Sequence, residues 1–221
     1  MRIIKLKDLL QEIQLKEAPV ADLPPPQVKF VVPPAQHAYA KAAGDMAGKP
    51  YTQPNIDFSA KRDSGDLSSK VVNVIKAFEN SKENPSGGYN KQLKKWFPHK
   101  SIEGGSATIA YGHKLQKGED FSKGISDDEA IKLLEKDIHK KINFANTKIP
   151  NFDNLPLTVK IATINALYRG DMGPRTMDLL AQHKFSDAAK EYLNHAEYRT
   201  TKNRGVKKRM DWNATVFKSA G

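Results

Sequence analysis

Leu157-Thr158-Val159-Lys160-Ile161-Ala162-Thr163-Ile164-Asn165-Ala166-Leu167-Tyr168 is apolar on nearly every side of a helical wheel. A helix of that kind is buried all round, so other elements must wrap around it. Pro156 fits as its first helical residue, where a missing N–H costs nothing, and Gly170, Gly173 and Pro174 end it. Upstream, Ser126-Asp127-Asp128-Glu129 is a capping box opening a helix whose Ile131, Leu134, Ile138 and Ile142 share one face. Further upstream, Asp66 to Ser81 places Val71, Val74, Ile75 and Phe78 on one stripe. Downstream, helices are expected over Thr176–Gln182, Ser186–Ala196 and, strongly basic, Asn203–Phe217. Only Glu103 to His113, with paired glycines and β-formers, departs from this pattern and suggests a small hairpin or meander. The fold class expected is α+β, mostly helical, with an early β element.

Composition sets the frame around that core. The chain has 221 residues, 38% of them hydrophobic, enough for one domain of about 150 residues and something extra. The extra lies at the start. Eight of thirteen prolines precede residue 55, so residues 17–65 read as a Pro-rich linker. Residues 1–16 read as a short amphipathic segment, either a frayed end packed on the main domain or an anchor or targeting peptide, and residues 66–221 as the folded domain. Cysteine is absent, which excludes disulfide scaffolds, thiolate metal sites and thiol nucleophiles. The histidines show no His-x-x-x-His spacing, so neither metal nor cofactor is expected. No apolar run reaches membrane-spanning length, and the start Met1-Arg2-Ile3-Ile4-Lys5 leads into charge, so a soluble chain without an export signal is expected. The net charge is +11, of which residues 66–221 carry +9. That balance points to an anionic partner, but no helix-turn-helix, RNA-recognition or zinc-finger pattern directs it to specific nucleic acid.

Glu79, at the end of the first helix of this domain, precedes the glycine-rich β segment. A carboxyl so placed, with a hairpin able to bring polar groups over it, is a usable layout for general-acid cleavage of a glycosidic bond. Inversion at the sugar needs a second polar group about 6.5 to 9.5 Å away to activate water. Thr108, Ser101, Glu103 and His99 lie in the segment that could deliver it. A lone glutamate at a helix end is ordinarily a solvated surface residue, so this spacing alone decides little.

The motif order adds to it. Phe78-Glu79, Glu103-Gly104 through Thr108-Ile109-Ala110-Tyr111-Gly112-His113, Ile164-Asn165-Ala166-Leu167-Tyr168, and Tyr198 followed by Thr201-Lys202-Asn203-Arg204 together resemble the successive motifs of phage-type (T-even-like) lysozymes, the family twenty-four glycoside hydrolases. The resemblance covers about residues 66–221. It implies a lysozyme-like fold and muramidase activity on the N-acetylmuramic acid to N-acetylglucosamine bond of bacterial peptidoglycan. By position Glu79 is similar to the family's acid, Thr108 to its water-holding threonine, and Arg204 to an arginine facing the acid. A guanidinium beside an acid catalyst opposes the raised pKa such an acid needs, so Arg204 takes a positioning role only. Tyr111 and Trp96 are the expected sugar contacts. His113 is expected to be a structural histidine of the loop, or a support for the acid.

One departure stands out. The family places an aspartate about nine residues after the glutamate and six before the threonine, whereas here Glu79 and Thr108 are 29 apart. Ser101 falls at the aspartate position on one alignment; Glu103 is the nearest carboxylate, and His99 a poorer neutral base. The expectation is therefore a virion-associated or endolysin-type muramidase acting on the periplasmic wall, held in a phage particle by other virion proteins through residues 1–65, or free in the host cytoplasm before release. The alternatives are a catalytically weakened wall-binding module, or a lytic transglycosylase using Glu79 alone.

Overall fold

The structure is a computed structural model and describes residues 66–79, 82, 87–101 and 106–221. The amphipathic segment 1–16, the Pro-rich linker 17–65 and the candidate Glu103 lie outside the described residues. Along the chain come α1 (Leu67–Glu79), β1 (Tyr89–Asn90), β2 (Lys95–Trp96), β3 (His99–Lys100), β4 (Ala107–Ile109) and β5 (His113–Lys114). Then follow α2 (Asp127–Lys148), a 3-10 turn (Phe152–Asn154), α3 (Leu157–Arg169), α4 (Pro174–Ala181), α5 (Phe185–Leu193), α6 (Ala196–Thr200) and α7 (Arg204–Lys218). The described part is mostly helical with a small antiparallel β region, an α+β arrangement. No helix among the described residues is long and apolar enough to cross a membrane.

α3 is the central helix its sequence announces. Eight consecutive or near-consecutive positions, Val159 and Ile161 through Leu167, are buried, and α1, α2 and α7 all pack against it. Pro156 sits one place earlier than expected, as the cap rather than the first helical residue, because its ψ of 140° is extended. The capping box of α2 forms as read: Ser126 Oγ accepts from the Glu129 N–H, and Glu129 accepts from the Ser126 N–H at 2.7 Å. The segment expected as one helix over 186–196 is divided, since α5 stops at Leu193 and His195 caps the short α6 by accepting from the Glu197 N–H.

The β region is larger than the sequence pattern suggests. β3, β4 and β5 form a three-stranded antiparallel meander, and β1 with β2 a separate hairpin whose turn is held by Asn90 Oδ1, which accepts from the Gln92 and Leu93 N–H groups. Two-residue strands have almost no ladder energy of their own, so side chains must fasten them to the helices. Asp127, the first residue of α2, does this. Its carboxylate accepts from the Trp96 indole at 3.1 Å, the Tyr111 hydroxyl at 3.1 Å and Lys82 at 2.7 Å, so one side chain ties β2, the β4–β5 turn and the chain after α1 together. Trp96, fully buried, lies between the rings of Tyr89 and Tyr111 at centroid distances of 4.8 and 4.9 Å. Partial burial alone would raise the Asp127 carboxyl, but these hydrogen bonds outweigh it and hold it below the usual range.

Asp127→Ala should lower unfolding free energy by about 2 to 3 kcal/mol, because the buried Trp96 N–H loses its acceptor. A carboxyl whose folded pKa is depressed stabilises the fold above its unfolded value, and the gain is lost as pH falls through the folded value. The gap between wild type and variant in urea denaturation should therefore shrink from about pH 6 to about pH 3. A gap that does not change with pH would refute this role.

Candidate functional site

Glu79 closes α1 and is about a quarter exposed, its Oε1 accepting from Arg209 Nη1 at 2.7 Å. Arg209 comes from α7, 130 residues along the chain, and is itself only 6% exposed. The other side of the guanidinium donates twice to Asn165 Oδ1, from Nε at 3.0 Å and Nη2 at 2.7 Å. Asn165 donates in turn to Asn213, Asn213 to the Tyr192 hydroxyl, and that hydroxyl to Asp171, which faces Arg169 as an ion pair at 2.9 Å. Burial pushes the Asp171 carboxyl up, against the opposing pull of Tyr192 and Arg169. A buried guanidinium is costly to desolvate unless its donors find acceptors, and Glu79 and Asn165 accept from all three of its nitrogens.

Arg204 is not the arginine of this site. It is the exposed first residue of α7, beside the Asn203 cap, and Arg209 lies five residues further on. Five positions turn a helix by about 140° beyond a full revolution, onto a different face. That face is the buried one, shared with Val206, Met210 and Asn213. Motif order, which points to Arg204, does not distinguish these faces. The signal was present, since Arg209 interrupts an apolar stripe at helical spacing.

Opposite Glu79 stands the β meander. The turn Ala110-Tyr111-Gly112 joins β4 to β5, with Ala110 and Gly112 both at positive φ, 54° and 92°. Gly112 runs beside Glu79 and Tyr168, where a Cβ would stand 3.9 Å from the Glu79 carboxyl carbon. Tyr168 of α3 pins this turn by donating from its hydroxyl to the Tyr111 carbonyl at 2.8 Å. Burial raises the Tyr168 hydroxyl, and the charge of Glu79 adds to it. Thr108, on β4, is 7% exposed and directly opposite His99 of β3 in the register. Its Oγ1 lies 3.4 Å from His99 Nε2. Burial lowers His99 below its ordinary value, against the opposing pull of the Phe97 carbonyl and the Glu79 charge.

The remaining expected site residues divide. Ser101 follows β3, and its N–H donates to the Ser106 carbonyl at 3.0 Å. Trp96 and Tyr111 are buried, their polar atoms committed to Asp127, so neither presents a ring to a sugar. Their place amid lysines and glycines gave no warning, because the partner that draws them inward is on α2. His113 is also buried, with Nδ1 2.5 Å from Asp137 of α2 and Nε2 2.9 Å from Glu119. Both ring nitrogens thus face carboxylates other than Glu79, which makes His113 a fastener of β5 to α2 and not a support for the acid. The depression of about 690 Å³ between α4 and α5, lined by Arg175, Leu179 and Glu191 among others, contributes none of these groups.

No known protein-family model matches the chain, and no curated protein is significantly similar to it. The groups themselves point to function: a carboxylate clamped by a buried arginine, and a threonine–histidine pair on the facing meander.

Arg209→Ala should destabilise the fold by about 3 kcal/mol, since Asn165 and Glu79 lose their partner in or near the core. Arg204→Ala should change stability by less than about 0.5 kcal/mol. Urea denaturation of the two variants gives the comparison, and the reverse order would remove Arg209 from the site.

Proposed function

We propose that residues 66–221 are a phage-lysozyme-like muramidase, which hydrolyses the glycosidic bond between N-acetylmuramic acid and N-acetylglucosamine in bacterial peptidoglycan. The observation that carries the reading is Glu79, held at a helix end by Arg209, which Asn165 fixes in turn, and set beside the Gly112 turn, where even a Cβ would stand 3.9 Å from its carboxyl carbon. In this reading Glu79 in its acid form protonates the leaving glycosidic oxygen, and Thr108 orients the water that attacks the anomeric carbon. Arg209 holds the carboxyl in place. The +9 charge of residues 66–221 suits an anionic cell wall. The Pro-rich composition of residues 17–65 supports the second part of the proposal, attachment to other virion proteins through residues 1–65.

A wall-binding module with a weakened site is the second reading, favoured by one observation: the side chain facing Thr108 belongs to a histidine and not to a carboxylate. A transglycosylase needs only Glu79. One assay separates the three. Purified Gram-negative sacculi are treated with the full chain or with Glu79→Gln, and released fragments are weighed. Release by wild type with reducing-end masses, reduced by about 10³-fold or more in the variant, is expected for a muramidase. Masses short by one water indicate the transglycosylase, and no release by either protein, with both sedimenting with the sacculi, indicates the binding module.

A further inference from the structure

The muramidase reading leaves open which group takes the proton of the attacking water. We propose that His99 is that general base, its Nε2 accepting the proton while Thr108 Oγ1 supplies the water's second anchor. The inference rests on the muramidase reading and deepens it.

The geometry around the ring carries it. His99 and Thr108 are direct partners across β3 and β4, so their side chains rise from the same face of the meander. His99 Nδ1 lies 3.4 Å from the Phe97 carbonyl, a group that can only accept, which assigns the ring proton to Nδ1. Nε2 is then the unprotonated nitrogen, and it is the one turned to Thr108. The hydroxyl of Thr108 has the His99 ring and the His99 carbonyl within 3.5 Å as acceptors for its one proton, and its lone pairs can receive a water. Gly88, at a φ of 76°, lies flat against the imidazole, where any Cβ would collide with Nδ1 and with the Phe97 carbonyl. The ring is thereby held in position. The charged and titratable groups around it are Glu79 of α1, with Arg209 of α7 and Tyr168 of α3 set against that carboxyl. Burial keeps His99 neutral at neutral pH, as a base must be.

The step balances without a co-reactant. Water attacks C1 from the face opposite the leaving group, its proton passes to Nε2, and the C1–O bond breaks as Glu79 gives its proton to the departing oxygen. The product is inverted, and solvent returns the imidazolium proton to Glu79.

The test compares wild type, His99→Ala, His99→Asp and Glu103→Gln in the sacculus assay, with and without sodium azide. His99→Ala should lose about 10²- to 10⁴-fold in rate. Azide needs no base, so it should restore cleavage and yield the α-linked muramyl azide, a result that a merely structural histidine would not give. The acidic limb of the wild-type pH profile should lie below the ordinary histidine value and move lower still in His99→Asp. Near-wild-type activity of His99→Ala, loss without azide rescue, or azide-rescued loss in Glu103→Gln instead would each overturn the assignment while leaving the muramidase reading intact. Inactivity of the wild type itself would overturn both.

Discussion

The guanidinium of Arg209, set between Glu79 and Asn165, is the interaction around which the rest is arranged. A fixed positive charge in a protein interior costs several kcal/mol of lost hydration unless every donor finds an acceptor. That requirement explains why the buried side of α3, chiefly apolar, carries Asn165, and why α7 carries Asn213 one turn beyond the arginine. The polar chain then runs on to Tyr192, Asp171 and Arg169, so that α1, α3, α5 and α7 are coupled by hydrogen bonds of defined direction and not only by apolar contact. Apolar packing tolerates small slips. A relay of this kind does not, and it sets the carboxyl of Glu79 to within the tolerance of a hydrogen bond.

The β region obeys a similar rule with a different anchor. Strands of two or three residues cannot hold their own register, and here Asp127 and, through His113, Asp137 fasten them to α2. The consequence for the site is that Thr108 and His99 are placed by α2 through the meander, whereas Glu79 is placed by α3 and α7. The two sides of the candidate site thus have separate supports, which meet where Tyr168 holds the Tyr111 carbonyl.

How far the sequence reveals this depends on the range of the interaction concerned. α3, the capping box of α2 and the stripe of α1 are legible because periodicity and caps are properties of neighbouring residues. Glu79 and Thr108 were legible as candidates for the same reason, each standing in a local motif. The arginine was displaced from 204 to 209 because motif order fixes a helix, while only the buried stripe fixes a face. Trp96, expected at the sugar, is buried instead because Asp127, the group that draws it inward, lies 31 residues away and leaves no local signal. His99 gained weight only from strand register, which two-residue strands scarcely encode.

The separation of 130 residues between Glu79 and Arg209 has a temporal meaning. During synthesis α1 and the whole meander leave the ribosome long before α7, and contacts distant in sequence are the last to close. Until then Glu79 is a carboxylate at the end of a short amphipathic helix, no different from a surface residue. The candidate site thus becomes complete only when the final helix docks, and a chain ending anywhere between α1 and α7 keeps Glu79 but not the arginine that holds it.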